Sequence, residues 1–132
     1  MEPIAQENNF GCGVACTAFL LKINYAVAVG LFEMGEEKTD KTGFKCKDIV
    51  KVLNEFGLRY IYKHVGFKIK NKIYSSGVIV FIRRSKKYPS GHYLVRYRNK
   101  WMDSWINFPR MDRQAGFRRR LPGQPIYMIL PI

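Results

Sequence analysis

Apolar residues along the chain fall into two rhythms, and the change comes at Gly57. Residues 1 to 11 are polar and contain glycine, which predicts a loop ending at Gly11. From Cys12 to Lys22 a stripe runs through Ala15, Phe19 and on to Ile23, widened by Cys16 and Leu20, and this spacing predicts a helix. Tyr25 to Glu36 repeats the pattern with Val27, Leu31 and Met34. The segment 36–43 contains no apolar residue and predicts an exposed connection. From Lys45 to Phe56, Cys46, Ile49, Val50, Leu53 and Phe56 again keep helical spacing, and Gly57 is a suitable stop.

Beyond Gly57 the period shortens. Leu58 to Val65 alternates loosely, and Val78 to Ile82 is an unbroken apolar run rich in β-branched residues, which predicts a strand buried on both faces. His92–Tyr97 and Lys100–Ile106 read as the arms of a hairpin around Arg98-Asn99, and Gln124–Leu130 as a last strand. Three helices followed by four or five strands, without βαβ alternation, predict an α+β fold. N-terminal helices would pack on a mainly antiparallel sheet. At 132 residues, with no internal repeat and no linker, the chain reads as a single domain over 1–132.

Composition narrows the class. With 47% hydrophobic and 25% charged residues the chain is globular, not disordered, collagenous or coiled-coil. Three cysteines at irregular spacing fit a reducing compartment better than a disulfide scaffold. The N-terminus shows no secretory signal pattern, so the expected location is the cytoplasm, or delivery as a module of a larger secreted protein. Val14–Phe32 could imitate a membrane span. Lys22 and Asn24 sit at its middle, however, and a central lysine costs roughly 3 kcal/mol on insertion, so two helices meeting near Asn24 are expected and no membrane span. The net charge of +13 lies wholly in the second half: residues 67–132 hold 15 basic side chains and two acids, Asp103 and Asp112. Such a field attracts nucleic acid, an anionic membrane surface or an acidic polypeptide.

Candidate chemistry begins at Cys12, between Gly11 and Gly13 at the start of the first helix. Helix dipole and free N–H groups there favour a thiolate, although a free cysteine also serves as a small buried hydrophobe. Of the two histidines, His64 lies among core-like residues and reads as structural, whereas His92 opens a strand. Asp103 stands inside an aromatic strand, where an unpaired acid is disfavoured. If Arg98-Asn99 is the hairpin turn, Leu94 faces Asp103 and His92 is its diagonal neighbour, roughly 7–8 Å away between backbones. A turn at Asn99-Lys100 would pair Asp103 with Arg96 instead. The first register, with Asn99 in the left-handed conformation, is the one a Cys–His–Asp arrangement needs. Those three residue types are the nucleophile, general base and orienter of a thiol hydrolase. Gln6 could curl back to join the Cys12 amide as an oxyanion donor.

Gln6 followed by Cys12-Gly13-x-Ala15-Cys16, then Gly91-His92-Tyr93-Leu94-Val95, then Met102-Asp103-Ser104-Trp105, resembles the papain-like cysteine peptidases of the C39 type. The resemblance implies a papain-like fold and a peptidase acting on a peptide or protein substrate through a thioester, with Cys12, His92, Asp103 and Gln6 as its machinery and no cofactor. The short hairpin and the Asp103-Ser104-Trp105 ending are similar to small free-standing members of phage, plasmid or toxin-module type. The basic half adds an acidic protein partner of inhibitor or immunity type. The alternative function is a nucleic-acid-directed protein, an RNA binder or ribonuclease-type toxin. Cys12 and Cys16 with either histidine do not make a zinc set. Arg83-Arg84-Ser85-Lys86-Lys87 and Arg118-Arg119-Arg120 read as solvated loops that could grip phosphate.

Overall fold

The computed structural model describes all residues, 1–132. Helix α1 (Cys12–Leu21) is apolar around its whole circumference, with every side chain from Gly13 to Phe19 buried, and it ends where Lys22 turns left-handed. Asn24 restarts the chain by accepting the Val27 N–H at 2.8 Å, which caps α2 (Tyr25–Val29). That helix is far shorter than the predicted Tyr25–Glu36. The chain turns through residues 30–34, with Met34 left-handed at φ 56°, and begins a separate helix, α3 (Gly35–Lys41). The segment 36–43, expected to be an exposed connection, is therefore mostly helical. Glu36, Glu37, Asp40 and Lys41 are exposed and Lys38 lies over the Phe44 ring, while Thr39 is buried and bonds back to the Gly35 carbonyl at 2.9 Å. Helix α4 (Cys46–Glu55) follows the predicted stripe through Cys46, Ile49 and Leu53, but Phe56, just past its end, is exposed.

One six-stranded antiparallel sheet follows, in the order β1-β6-β2-β3-β4-β5. Its strands are β1 (Tyr60–His64), β2 (Ile79–Ile82), β3 (His92–Tyr97), β4 (Lys100–Asp103), β5 (Gly116–Arg118) and β6 (Pro125–Pro131). This is the expected α+β arrangement, consistent with a papain-like fold. A 3₁₀ turn at Lys70–Tyr74 and the short β5 lie in stretches with no readable period. Strand β4 stops at Asp103 rather than Ile106, because residues 104–109 turn.

Strand alternation splits the core in two. Ile79, Tyr93, Val95, Met102 and Ile129 meet α1 and α4 on one face; Val80, Ile82, Leu94, Trp101, Met128 and Leu130 pack beneath Ile73 and Tyr88 on the other. The run at β2 is thus buried on both faces, as its composition predicted. The β3–β4 hairpin pairs Val95 with Met102, Arg96 with Trp101 and Tyr97 with Lys100, which extends to Leu94 opposite Asp103. That is the register with Arg98-Asn99 as the turn. The left-handed residue is Arg98 (φ 56°), however, and not Asn99. The Ser76 hydroxyl accepts the Arg98 N–H at 3.1 Å, an anchor from outside the hairpin that sequence spacing does not reveal.

Candidate functional site

The segment before α1 is held from four directions. The Gln6 N–H donates to the Ser104 carbonyl at 3.1 Å, and the Phe10 N–H to the Thr39 carbonyl at 2.8 Å. Asn8 donates to Asp40 at 2.8 Å and accepts from the Tyr25 hydroxyl at 2.9 Å. Helix α3, the element the hydrophobic pattern misses, is therefore what steadies the approach to Cys12. Gly11 has no alternative in this packing, since a Cβ there would lie 1.9 Å from the Tyr25 oxygen. Cys12 emerges half-buried at the first residue of α1, whereas Cys16, one turn on, is fully enclosed, and burial pushes its thiol well up.

His92 begins β3 at the same end of the sheet. Gly91 precedes it with φ 73°, and a Cβ there would stand 2.2 Å from Phe81 Cζ and 2.8 Å from the Ile82 carbonyl, so glycine alone permits this entry into the strand. The imidazole is buried, and its Nε2 meets Asp103 Oδ1 at 2.7 Å. That leaves Nδ1 as the ring nitrogen free for the thiol. Burial alone would push His92 down. The hydrogen bonds to Asp103 and Cys12, with the charges of both, outweigh it and raise the imidazole to about 9.

Asp103 is fully buried, and Oδ1 also accepts the Trp105 N–H at 3.0 Å. Burial pushes this carboxyl up, but the His92 hydrogen bond and charge, the Trp105 N–H and the Arg118 charge hold it below the usual carboxylate range. Imidazolium and carboxylate thus coexist at neutral pH. The Tyr88 ring stacks on the imidazole, centroids 5.1 Å apart and planes 12° from parallel, and Phe108 stacks on Tyr88 in turn.

Gln6 is buried beside them. Its Oε1 accepts from Ser104 Oγ at 2.8 Å, and its Nε2 donates to the Asn8 and Asn9 carbonyls at 2.9 and 3.2 Å. Gln6, Cys12 and His92 line one cleft of about 340 Å³, walled by Phe44, Phe81, Tyr88, Trp105, Phe108 and Met111. Of the four residues singled out from the sequence, three line this cleft and the fourth, Asp103, lies directly behind His92. His64 is not among them: it is exposed, contrary to its core-like sequence setting, and packs on the Tyr127 ring at 4.5 Å.

Three further residues shape the site in roles the sequence does not assign to them. Ser104 orients the Gln6 amide, Tyr88 covers the imidazole, and Arg118 lies 3.4 Å from Asp103 Oδ2. The last is a correction. Arg118 is a strand residue against a buried acid, not part of a solvated basic loop, whereas Arg119 and Arg120 are exposed as expected. No group of three or more His, Cys, Asp or Glu side chains is placed to hold a metal ion. A thiol, an imidazole with one nitrogen committed to a buried carboxylate, and an adjoining amide form a set suited to acyl transfer through a thioester.

The model of the Peptidase C39 family matches residues 1–117 of the chain. No curated protein matches it.

Proposed function

The chain belongs to the Peptidase C39 family and is a cysteine peptidase, and from that premise we propose that Cys12, His92 and Asp103 carry the hydrolysis, with Gln6 assisting. The observation that carries this reading is the buried 2.7 Å contact between His92 Nε2 and Asp103 Oδ1 in the wall of the cleft that Cys12 enters from the start of α1. The Cys12 thiolate attacks the scissile carbonyl, and the oxyanion is met by the Cys12 N–H. His92 passes its proton from Nδ1 to the leaving amine, and the thioester forms. Neutral His92 then takes a proton from water, which attacks the thioester and releases the acid. Asp103 stabilises the imidazolium throughout and fixes which nitrogen faces the thiol. The Gln6 amide already has both hydrogens engaged, so its donation to the oxyanion requires exchanging one of them, the longer 3.2 Å bond to Asn9 being the easier to give up.

Iodoacetamide competition tests the nucleophile: Cys12 is expected to be alkylated faster than the buried Cys16 and Cys46. Equal labelling, or undiminished hydrolysis by Cys12→Ala, would sink the reading.

The substrate is a peptide or protein segment, and the cleft that receives it is lined by no Lys, Arg, Asp or Glu. Part of the positive charge lies next to it in the chain, where Arg83, Arg84, Lys86 and Lys87 are exposed on the loop that leads into the cleft residues Tyr88 and His92. An acidic protein of inhibitor or immunity type is the partner such a loop would take, which fits a toxin or effector module. Three free cysteines fit the cytoplasm or delivery into a reducing compartment, and no helix is long and apolar enough to cross a membrane. The nucleic-acid-directed alternative rests on His92 and the cationic half. RNA binding or cleavage that survives Cys12→Ala would favour it.

A further inference from the structure

Asp103 has two carboxylate oxygens, and the mechanism above uses one. Oδ1 takes both the His92 ring and the Trp105 N–H, while Oδ2, equally buried, has no hydrogen-bond donor. What faces it is Arg118 Nη1, 3.4 Å away and itself buried without a hydrogen-bond acceptor. The arrangement follows from strand register. Gly116 lies opposite Asp103 on β5, so Arg118 is a diagonal neighbour on one side of the acid, as His92 is on the other. Phe117 points to the helical face, where Phe19 and Tyr97 pack around it at 6.2 and 5.7 Å, and alternation turns Arg118 toward the carboxylate. The Tyr88 ring stacks on His92, and its hydroxyl is buried without a hydrogen-bond partner. Arg118 stands one residue beyond the stretch that matches the family.

We propose that Arg118 is a positioning residue that shares the Asp103 carboxylate with His92 and so keeps the imidazole able to release its proton, a role resting on the Cys12, His92 and Asp103 reading above. A buried carboxylate with a single cationic partner grips it hard, and His92 must lose its proton in acylation and take one again from water. A second cation on the other oxygen divides that attraction.

The chain has only two histidines, so NMR titration of the His92 ring reads the effect directly, with exposed His64 as an internal control. Arg118→Met is expected to move the His92 midpoint up by roughly half to one pH unit, and Arg118→Lys to restore it toward the native value. The upper limb of the pH–rate profile should move with it. If Arg118→Met does not fold, Arg118→Gln, which keeps donors without the charge, is read in the same way. A midpoint unchanged or lowered in the neutral variants, with only thermal stability lost, overturns the proposal and leaves Arg118 as a strut for β5. If Asp103→Asn titrates His92 as the native protein does, the Asp103–His92 reading itself fails and this one with it.

Discussion

At the scale of single residues, burial separates two cysteines that sit one helical turn apart. Cys12→Ala should abolish hydrolysis with the melting temperature nearly unchanged, because the half-buried thiol contributes reactivity more than packing. Cys16→Ala should do the reverse, retaining activity while costing on the order of 1 kcal/mol of stability, read by chemical denaturation, because its sulfur fills enclosed space. Asp103→Asn can still orient His92 but supports its cation poorly, so turnover should fall by about 10²–10⁴-fold with the hairpin intact. The pH dependence has a definite sign. His92 is raised from 6.5 to about 9, so its stabilising contribution is complete below pH 6.5 and disappears as pH rises through 9. The melting temperature should decline across that window, and His92→Gln should remove that part of the decline. Asp103, held low, contributes in the opposite sense: its share is lost only as pH falls below the ordinary carboxylate range.

Elements set where those residues meet. The loop from β2 to β3 must bring Gly91 into the left-handed region against Phe81, so Gly91→Ala should cost at least about 2 kcal/mol, measured by denaturant titration, and lose activity by displacing His92. Asn24→Ala is a useful contrast. It removes the α2 cap and should cost about 1 kcal/mol while leaving turnover unaffected, since the Asn24 side chain bonds only to its own helix. Helix α3 shows how an element with no apolar stripe can still be formed: Glu36 and Glu37 sit in its first turn, Lys38 and Lys41 in its last, and Thr39 is covered by the loop it supports. Its contacts are polar and come from Asn8 and Phe10, roughly thirty residues earlier in the chain.

For the whole molecule the question is how a cleft lined by no Lys, Arg, Asp or Glu and a strongly basic surface work together. Association with an acidic partner should slow as salt rises, since screening at physiological ionic strength acts over about 8 Å. Reversing Arg83, Arg84, Lys86 and Lys87 together should reduce that association rate, measured by stopped flow, while hydrolysis of a small neutral substrate stays the same. A rate indifferent to both salt and these changes would assign the charge to solubility or to another contact.

What the sequence by itself determined is whatever depends on near neighbours. Helix α1 with a thiol at its first residue and the doubly buried β2 follow from spacing along short segments, and the hairpin is narrowed to two registers, of which one brings His92 to Asp103. Spacing leaves both registers open because Trp101 and Met102 are apolar and each face of the sheet carries a core, so a slip of the strand would leave both side chains buried. Tertiary structure alone decided the rest, because it rests on contacts between distant parts of the chain. The left-handed turn residue is Arg98, anchored by Ser76, and the segment expected to be a loop is a helix stabilised by Asn8 and Phe10. Arg118, one of three consecutive arginines, is distinguished from the other two only by strand alternation and a buried carboxylate on the neighbouring strand. A three-residue strand has no period of its own to read, so its role is visible only once Asp103 stands beside it.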